Sequence, residues 1–99
     1  MIVLIAEFHA KTGKEDQLET LLKSIVPKVE REPNTIQYVL HRSQSERGCF
    51  LFYEKYADKP ALDFHCSTPY LKELLSQTEG LLSCAPTISL YDEISAIAR

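Results

Sequence analysis

The chain has no run of lysine or arginine, no Cys-x-x-Cys pair, no internal repeat and no apolar stretch of membrane-spanning length. Each absence removes a class of function. Nucleic-acid binders carry a clustered basic footprint, whereas here 11 Lys and Arg face 14 Asp and Glu, for a net charge of -3. Zinc and dithiol redox motifs need closely paired cysteines. Cys49, Cys66 and Cys84 are odd in number and far apart, so they read as reduced, mostly buried thiols. The apolar run Met1 to Ala6 has no basic segment before it and stops at Glu7, which fits neither an export signal nor a membrane span. The expectation is a cytoplasmic protein that takes no cofactor and no metal and has neither nucleic acid nor membrane as a partner.

What is present is one domain's worth of alternating elements over residues 1–99. Met1 to Ala10 (MIVLIAEFHA) is rich in β-branched and aromatic residues and reads as a strand. Thr12 followed by Glu15 has the form of a capping box, opening a helix to about Arg31. Its stripe of Leu18, Leu21, Leu22, Ile25, Val26 and Val29 repeats at helical spacing, with Pro27 expected to kink the last turns. Thr35 to Arg42 and Cys49 to Ala57 are strands flanking a polar loop of hairpin length. Asp58 caps a second helix with Pro60 in its first turn. That helix restarts at Thr68-Pro69, presents Leu71, Leu74 and Leu75 to the core, and stops at Gly80. Thr87 to Ile94 is the last strand.

The order β-α-β-β-α-β, with right-handed crossovers and short connections, points to an α+β ferredoxin-like fold: a four-stranded antiparallel sheet with its helices on one face. Both parities of the strands are nevertheless apolar. Ile2, Leu4 and Phe8 oppose Val3 and Ile5, and Phe50 and Phe52 oppose Leu51 and Tyr53. A bare sheet face of that kind would be a large exposed patch, so a second copy packed sheet to sheet is expected, giving a homodimer.

Three short segments carry a family resemblance: Arg31-Glu32-Pro33 before the second strand, Tyr53-Glu54 in the third, and Phe64-His65-x-x-Thr68-Pro69. In this order the chain resembles the antibiotic-biosynthesis-monooxygenase superfamily over nearly its whole length. The resemblance implies a dimeric α+β barrel with a ligand cavity between sheet and helices in each subunit. Members include monooxygenases that oxidise quinols or aromatic polyketides with dioxygen and no metal or flavin, haem-degrading enzymes, and an isomerase of a phosphorylated signalling sugar. The segment around His65 is most similar to the quinol monooxygenase and isomerase branches, but those carry His after Thr-Pro where this chain has Tyr70. No His lies between Ser67 and Arg99, which speaks against haem ligation from the second helix.

His65 is the candidate proton acceptor, since imidazole takes or gives a proton at cellular pH. Glu54 is the second candidate catalytic residue. It lies mid-strand between Phe52 and Tyr56 on one parity, where a carboxylate needs a partner, with Arg42 or His41 on the neighbouring strand as candidates. Tyr38 and Tyr70 are candidate hydrogen-bond donors to a substrate, and Phe8 and Phe64 candidate apolar walls. His9 and His41 are expected at the surface or an interface. The function expected is a cofactor-independent monooxygenase acting with dioxygen on a small aromatic or quinol-like substrate. An isomerase of a small phosphorylated carbonyl compound and a non-catalytic dimeric ligand-binding domain are the alternatives. A phosphate site needs convergent cationic or amide donors, a quinol site an apolar slot with one or two polar groups.

Overall fold

In the computed structural model, which describes residues 1–99, the alternating pattern becomes a four-stranded antiparallel sheet. Strands β1 (Ile2–His9), β2 (Thr35–Arg42), β3 (Cys49–Tyr56) and β4 (Thr87–Asp92) lie in the order β2-β3-β1-β4. Helices α1 (Glu15–Lys23), α2 (Val26–Val29), α3 (Lys59–Ser67) and α4 (Pro69–Thr78) fill the two crossovers. This is the α+β ferredoxin-like βαββαβ arrangement expected from the sequence.

Strand parity decides what each face carries. Leu4, Ala6 and Phe8 stand opposite Glu54, Phe52 and Phe50. This face meets Leu18, Leu22, Leu62 and Leu74 from the helices in a single core cluster. Phe8 meets Phe52 edge to face, with ring centroids 6.0 Å apart. The other parity places Val3, Ile5, Glu7 and His9 beside Lys55, Tyr53, Leu51 and Cys49, on the face away from the helices.

The first helical region departs from expectation. It does not run on to Arg31 with a kink but breaks into α1 and α2 at Ser24–Ile25. Pro27 has no N–H to offer the carbonyl of Lys23, and its ring crowds that turn. Ser24 closes α1 instead, donating its N–H to the Leu21 carbonyl at 3.1 Å and its hydroxyl to the same oxygen at 2.5 Å. The capping box does not form either. Lys14 occupies the N-cap, where its side chain has no acceptor to offer, and the Glu15 carboxylate turns back to the N–H of Gly13 at 3.0 Å.

The second helical region follows the sequence more closely. Asp58 caps α3, accepting from the N–H of Ala61 at 3.0 Å. In α4 the buried pair is Leu74 and Thr78, while Leu75 is exposed and Leu71 only partly covered. Gly80 is not in the left-handed conformation, so it follows the helix without capping it. The cysteines also correct the reading: Cys49 is half-buried, and Cys66 and Cys84 are exposed. Cys66 follows the buried His65 on α3, and the roughly 100° between successive helical residues takes it off the buried face.

Two glycines hold positive φ with different surroundings. At Gly13, φ is 88° and an added Cβ would meet nothing. At Gly48, φ is 85° and a Cβ would come within 2.8 Å of Glu15 Cγ and 3.2 Å of Ala10 Cβ. Gly48 also accepts the Ala10 N–H at 2.8 Å, so the strand end has little room to yield. Gly13→Ala should lower stability by about 1 kcal/mol, the usual penalty of a left-handed alanine. Gly48→Ala should lose more, about 2 kcal/mol or above, with urea unfolding of the two variants giving the comparison.

Candidate functional site

His65 lies on the inner side of α3 and is 2% exposed. It is held there because α3 ends one turn later, where Thr68 donates both its N–H, at 3.2 Å, and its hydroxyl, at 2.8 Å, to the His65 carbonyl. Its Nδ1 sits 3.1 and 3.0 Å from the two oxygens of Glu32. A carboxylate accepts, so Nδ1 carries the proton and Nε2 is left as the basic nitrogen. Nε2 points toward Glu54, whose Oε1 is 3.8 Å away.

Each carboxylate has its own donors. Glu32, in the turn between α2 and β2, accepts from the Thr35 hydroxyl at 3.1 Å and from the Tyr70 hydroxyl as well as from His65. Glu54 accepts from the Tyr56 hydroxyl at 2.5 Å. The rings of Tyr38 and Tyr56 flank the imidazole at centroid distances of 5.2 and 5.5 Å. The result is a buried polar line, Tyr70–Glu32–His65–Glu54–Tyr56, with no unpaired buried side-chain nitrogen or oxygen.

Burial pushes Glu54 up to about 7, helped by the neighbouring charge of Glu32 and opposed by the bond from Tyr56. Burial likewise raises the phenols of Tyr38 and Tyr56, with Glu54 as the next cause for each. Tyr70 is pushed up to about 12, by burial and then by its bond to Glu32. These phenols are therefore donors, while Glu54 exchanges a proton near neutrality.

Of the residues singled out from the sequence, His65, Glu54, Tyr38 and Tyr70 come together here. Phe8 and Phe64 do not. Phe8 is 3% exposed and packs on Phe52 in the core, whereas Phe64 is 55% exposed beside a small cavity that reaches the outer side of Glu32. Arg42 and His41 are not the partners of Glu54. Arg42 stands opposite Phe50 in register and donates to Glu19 at 2.7 Å. His41 has the wrong parity and lies near the Leu51 carbonyl. Glu32 and Tyr56 were not anticipated as site residues. The available signal was chemical: a buried Glu54 demands a donor, and Tyr56 lies two residues on, on the same face of β3.

The imidazole opens into none of the five principal cavities. The largest, about 630 Å³, runs between α1–α2 and β2, with Val26, Pro27, Leu40 and Phe50 as apolar surface, Lys23 and Arg42 at its rim, and Tyr38 in its wall. Tyr38 thus lines the cavity and packs its ring against His65.

The raised Glu54 has a consequence for stability. Its folded pKa of about 7 lies above the ordinary 4.5, so the native state binds the proton more tightly than the unfolded chain. The stabilisation is full below the unfolded value and is lost as pH rises through the folded one. The difference between 4.5 and about 7 corresponds to about 3 kcal/mol. Glu54→Gln keeps an acceptor for Tyr56 and removes the titration. Calorimetry between about pH 5 and 8 should therefore find the wild-type Tm falling relative to that of Glu54→Gln; parallel profiles would remove this assignment.

The chain is similar to known proteins in both sequence and fold. The family model described as "Antibiotic biosynthesis monooxygenase" matches residues 1–77. A candidate monooxygenase of Bacillus subtilis, YcnE, is 30% identical over 95 residues, covering 96% of this chain and 99% of that protein. A Synechocystis protein is 29% identical over 90 residues, 91% of this chain, which spans only 61% of that relative's length. Among solved structures, one described as an antibiotic biosynthesis monooxygenase superposes with a TM-score of 0.88 at 29% identity, covering 96% of this chain and all of its own (100%). A Shewanella oneidensis protein superposes at 0.86 with 32% identity, covering 91% of this chain and 87% of that one. With the family model spanning more than three quarters of its length, the chain belongs to the antibiotic biosynthesis monooxygenase family.

Proposed function

We propose that the protein is a monooxygenase of a small phenolic or quinol-like substrate, with His65 as proton acceptor. The observation that carries this reading is the buried line Glu32–His65–Glu54 beside Tyr38, whose ring packs on the imidazole and which also lines a groove with apolar surface. Glu32 fixes the imidazole with Nε2 free, as the carboxylate does in other carboxylate–histidine pairs. Nε2 takes the phenol proton, leaving a ring anion rich enough in electrons to reduce dioxygen. One oxygen atom enters the ring, the other leaves as water, and the ring is oxidised to the quinone level. The phenol supplies all the electrons, so no other reductant is needed. Tyr38 must turn aside for the substrate to reach Nε2, which makes it a gate as well as a wall.

The isomerase alternative asks for cations that converge on a phosphate. Around His65 stand two carboxylates, and at the groove Arg42 is already engaged by Glu19. A non-catalytic reading is favoured by one observation, the enclosure of His65 at 2% exposure. On that reading the network only locks α3 and α4 to the sheet.

The functional unit we propose is a homodimer packed through the outer sheet face. Val39 and Tyr91 on that face are 42% and 57% exposed, and Ile94 and Ile97 beyond β4 are 94% and 74% exposed, an apolar surface that water disfavours. Three free thiols, two of them exposed, suit a reducing compartment such as the cytoplasm.

Oxygen uptake with a reactive hydroquinone tests the chemistry. His65→Gln should reduce kcat by roughly 100-fold or more, the range for loss of a general base, while circular dichroism stays native. Uptake unchanged in His65→Gln, or none in the wild type while Tm drops in the variant, would favour the structural reading. Sedimentation at micromolar concentration tests the assembly: the mass of two chains is expected, and a stable monomer would refute it.

A further inference from the structure

The outer face of the sheet carries a second cluster that the proposed reaction does not use. Glu7 and His9 alternate on β1, so they share a face, and His9 stands directly opposite Cys49 of β3 in the register. His9 Nε2 is 2.9 Å from Glu7 Oε1, and the Cys49 thiol donates to the same oxygen at 3.7 Å. One ligand atom from each residue, a nitrogen, an oxygen and a sulfur, all fall within 4.8 Å of one another. All three residues are half-buried. Cys49 is five residues along β3 from Glu54, about 17 Å at strand spacing, and on the opposite face, so this cluster is separate from the His65 network.

We infer that Glu7, His9 and Cys49 form a site for a borderline-soft divalent cation, zinc being the natural occupant, although the spacing of these residues in sequence matches no metal motif. Tetrahedral zinc, with bonds near 2.0 Å to nitrogen and oxygen and 2.3 Å to sulfur, sets its ligand atoms about 3.3–3.5 Å apart. The 2.9 and 3.7 Å separations from the Glu7 oxygen bracket that range, and the imidazole nitrogen and the sulfur, within 4.8 Å of each other, close on the ion by side-chain rotation. The donor set is thiolate, imidazole and carboxylate, which selects zinc over magnesium or calcium. In the metal-free state the hydrogen bonds of the cluster satisfy the same atoms; zinc replaces the thiol proton and the His9–Glu7 contact. Affinity should therefore rise with pH. The backbone holds the arrangement: Gly48 O accepts the Ala10 N–H, and His9 O accepts the Ser83 N–H, both at 2.8 Å. Three protein ligands leave one coordination position open.

Cobalt is the spectroscopic probe. The full chain, stripped with a chelator and kept reduced, is titrated with Co²⁺ and then with Zn²⁺. The double variant Cys66→Ser/Cys84→Ser leaves Cys49 as the only thiol and alters two exposed positions. In it we expect a thiolate-to-cobalt absorption band in the near ultraviolet, strong visible bands of tetrahedral cobalt, one ion per chain, and displacement by Zn²⁺. In that background His9→Ala and Glu7→Gln should weaken binding by about tenfold or more, since even outer partners of metal ligands are worth that much. Absence of the thiolate band in the double variant, or its persistence at unchanged affinity in His9→Ala, would overturn the site. A band seen in the wild type but lost in the double variant would assign the thiolate to Cys66 or Cys84 and overturn it equally.

Discussion

Glu32 and Glu54 both sit at 5% exposure or less, and the imidazole of His65 lies between them. A buried carboxylate is costly unless it is paired and hydrogen-bonded, and removing one partner of such a pair costs about 3–5 kcal/mol. Much of the architecture near the crossovers follows from meeting that requirement. The turn after α2 brings Glu32 inward, α3 presents His65 to it, and α4 begins directly after Thr68 so that Tyr70 reaches the same carboxylate. β3 supplies Glu54 together with the Tyr56 hydroxyl that bonds it. Elements far apart in the chain are thereby tied at one point by polar contacts, where apolar packing alone would fix neither register nor helix rotation as closely.

The same network gives the site its chemical character. Nδ1 of His65 is committed to Glu32, so only Nε2 is available, and that nitrogen faces a carboxyl that titrates near neutrality. A base and an acid with opposed environments, adjoining aromatic rings, can hold and pass a proton with little water present. Burial and the neighbouring charge of Glu54 keep the phenols of Tyr38 and Tyr56 protonated. The proposed reaction asks of this arrangement a protected place where a proton is removed, and the chain's family is one of monooxygenases by name.

How far the sequence discloses this depends on the kind of regularity involved. The fold was legible because it rests on periodicity. The β-branched and aromatic runs of β1 and β3, the helical stripe from Leu18 to Val29 and the Asp58 cap are local patterns, and each appears in the structure. Pro27 also signalled a disturbance, although a local reading does not say whether a proline bends a helix or ends it. The site was half legible. His65, Glu54, Tyr38 and Tyr70 were identifiable as polar or aromatic residues at buried-looking positions. Their partners were not, because hydrogen bonds across 33 and 38 residues, from Glu32 to His65 and to Tyr70, have no periodic trace. Glu32 in particular reads locally as a helix terminator beside Pro33. Arg42 was the attractive partner for Glu54 by charge, and register overruled it.

Parity in the strands links the two polar clusters of the molecule. On β3, even-numbered residues face the helices and odd-numbered ones face away. Glu54 and Tyr56 accordingly belong to the inner network, and Cys49 to the outer face with Glu7 and His9. A sheet with helices on one side usually makes the away face plain and polar. Here it instead mixes aliphatic and aromatic side chains with a thiol, an imidazole and a carboxylate at one end. If two such faces meet, the aliphatic and aromatic side chains supply the area of contact. An ion held by Glu7, His9 and Cys49 on the same face would have one coordination position open. Chemistry on substrate and cohesion of the assembly would then be divided between the two faces of one sheet, each face controlled by its own set of alternate residues.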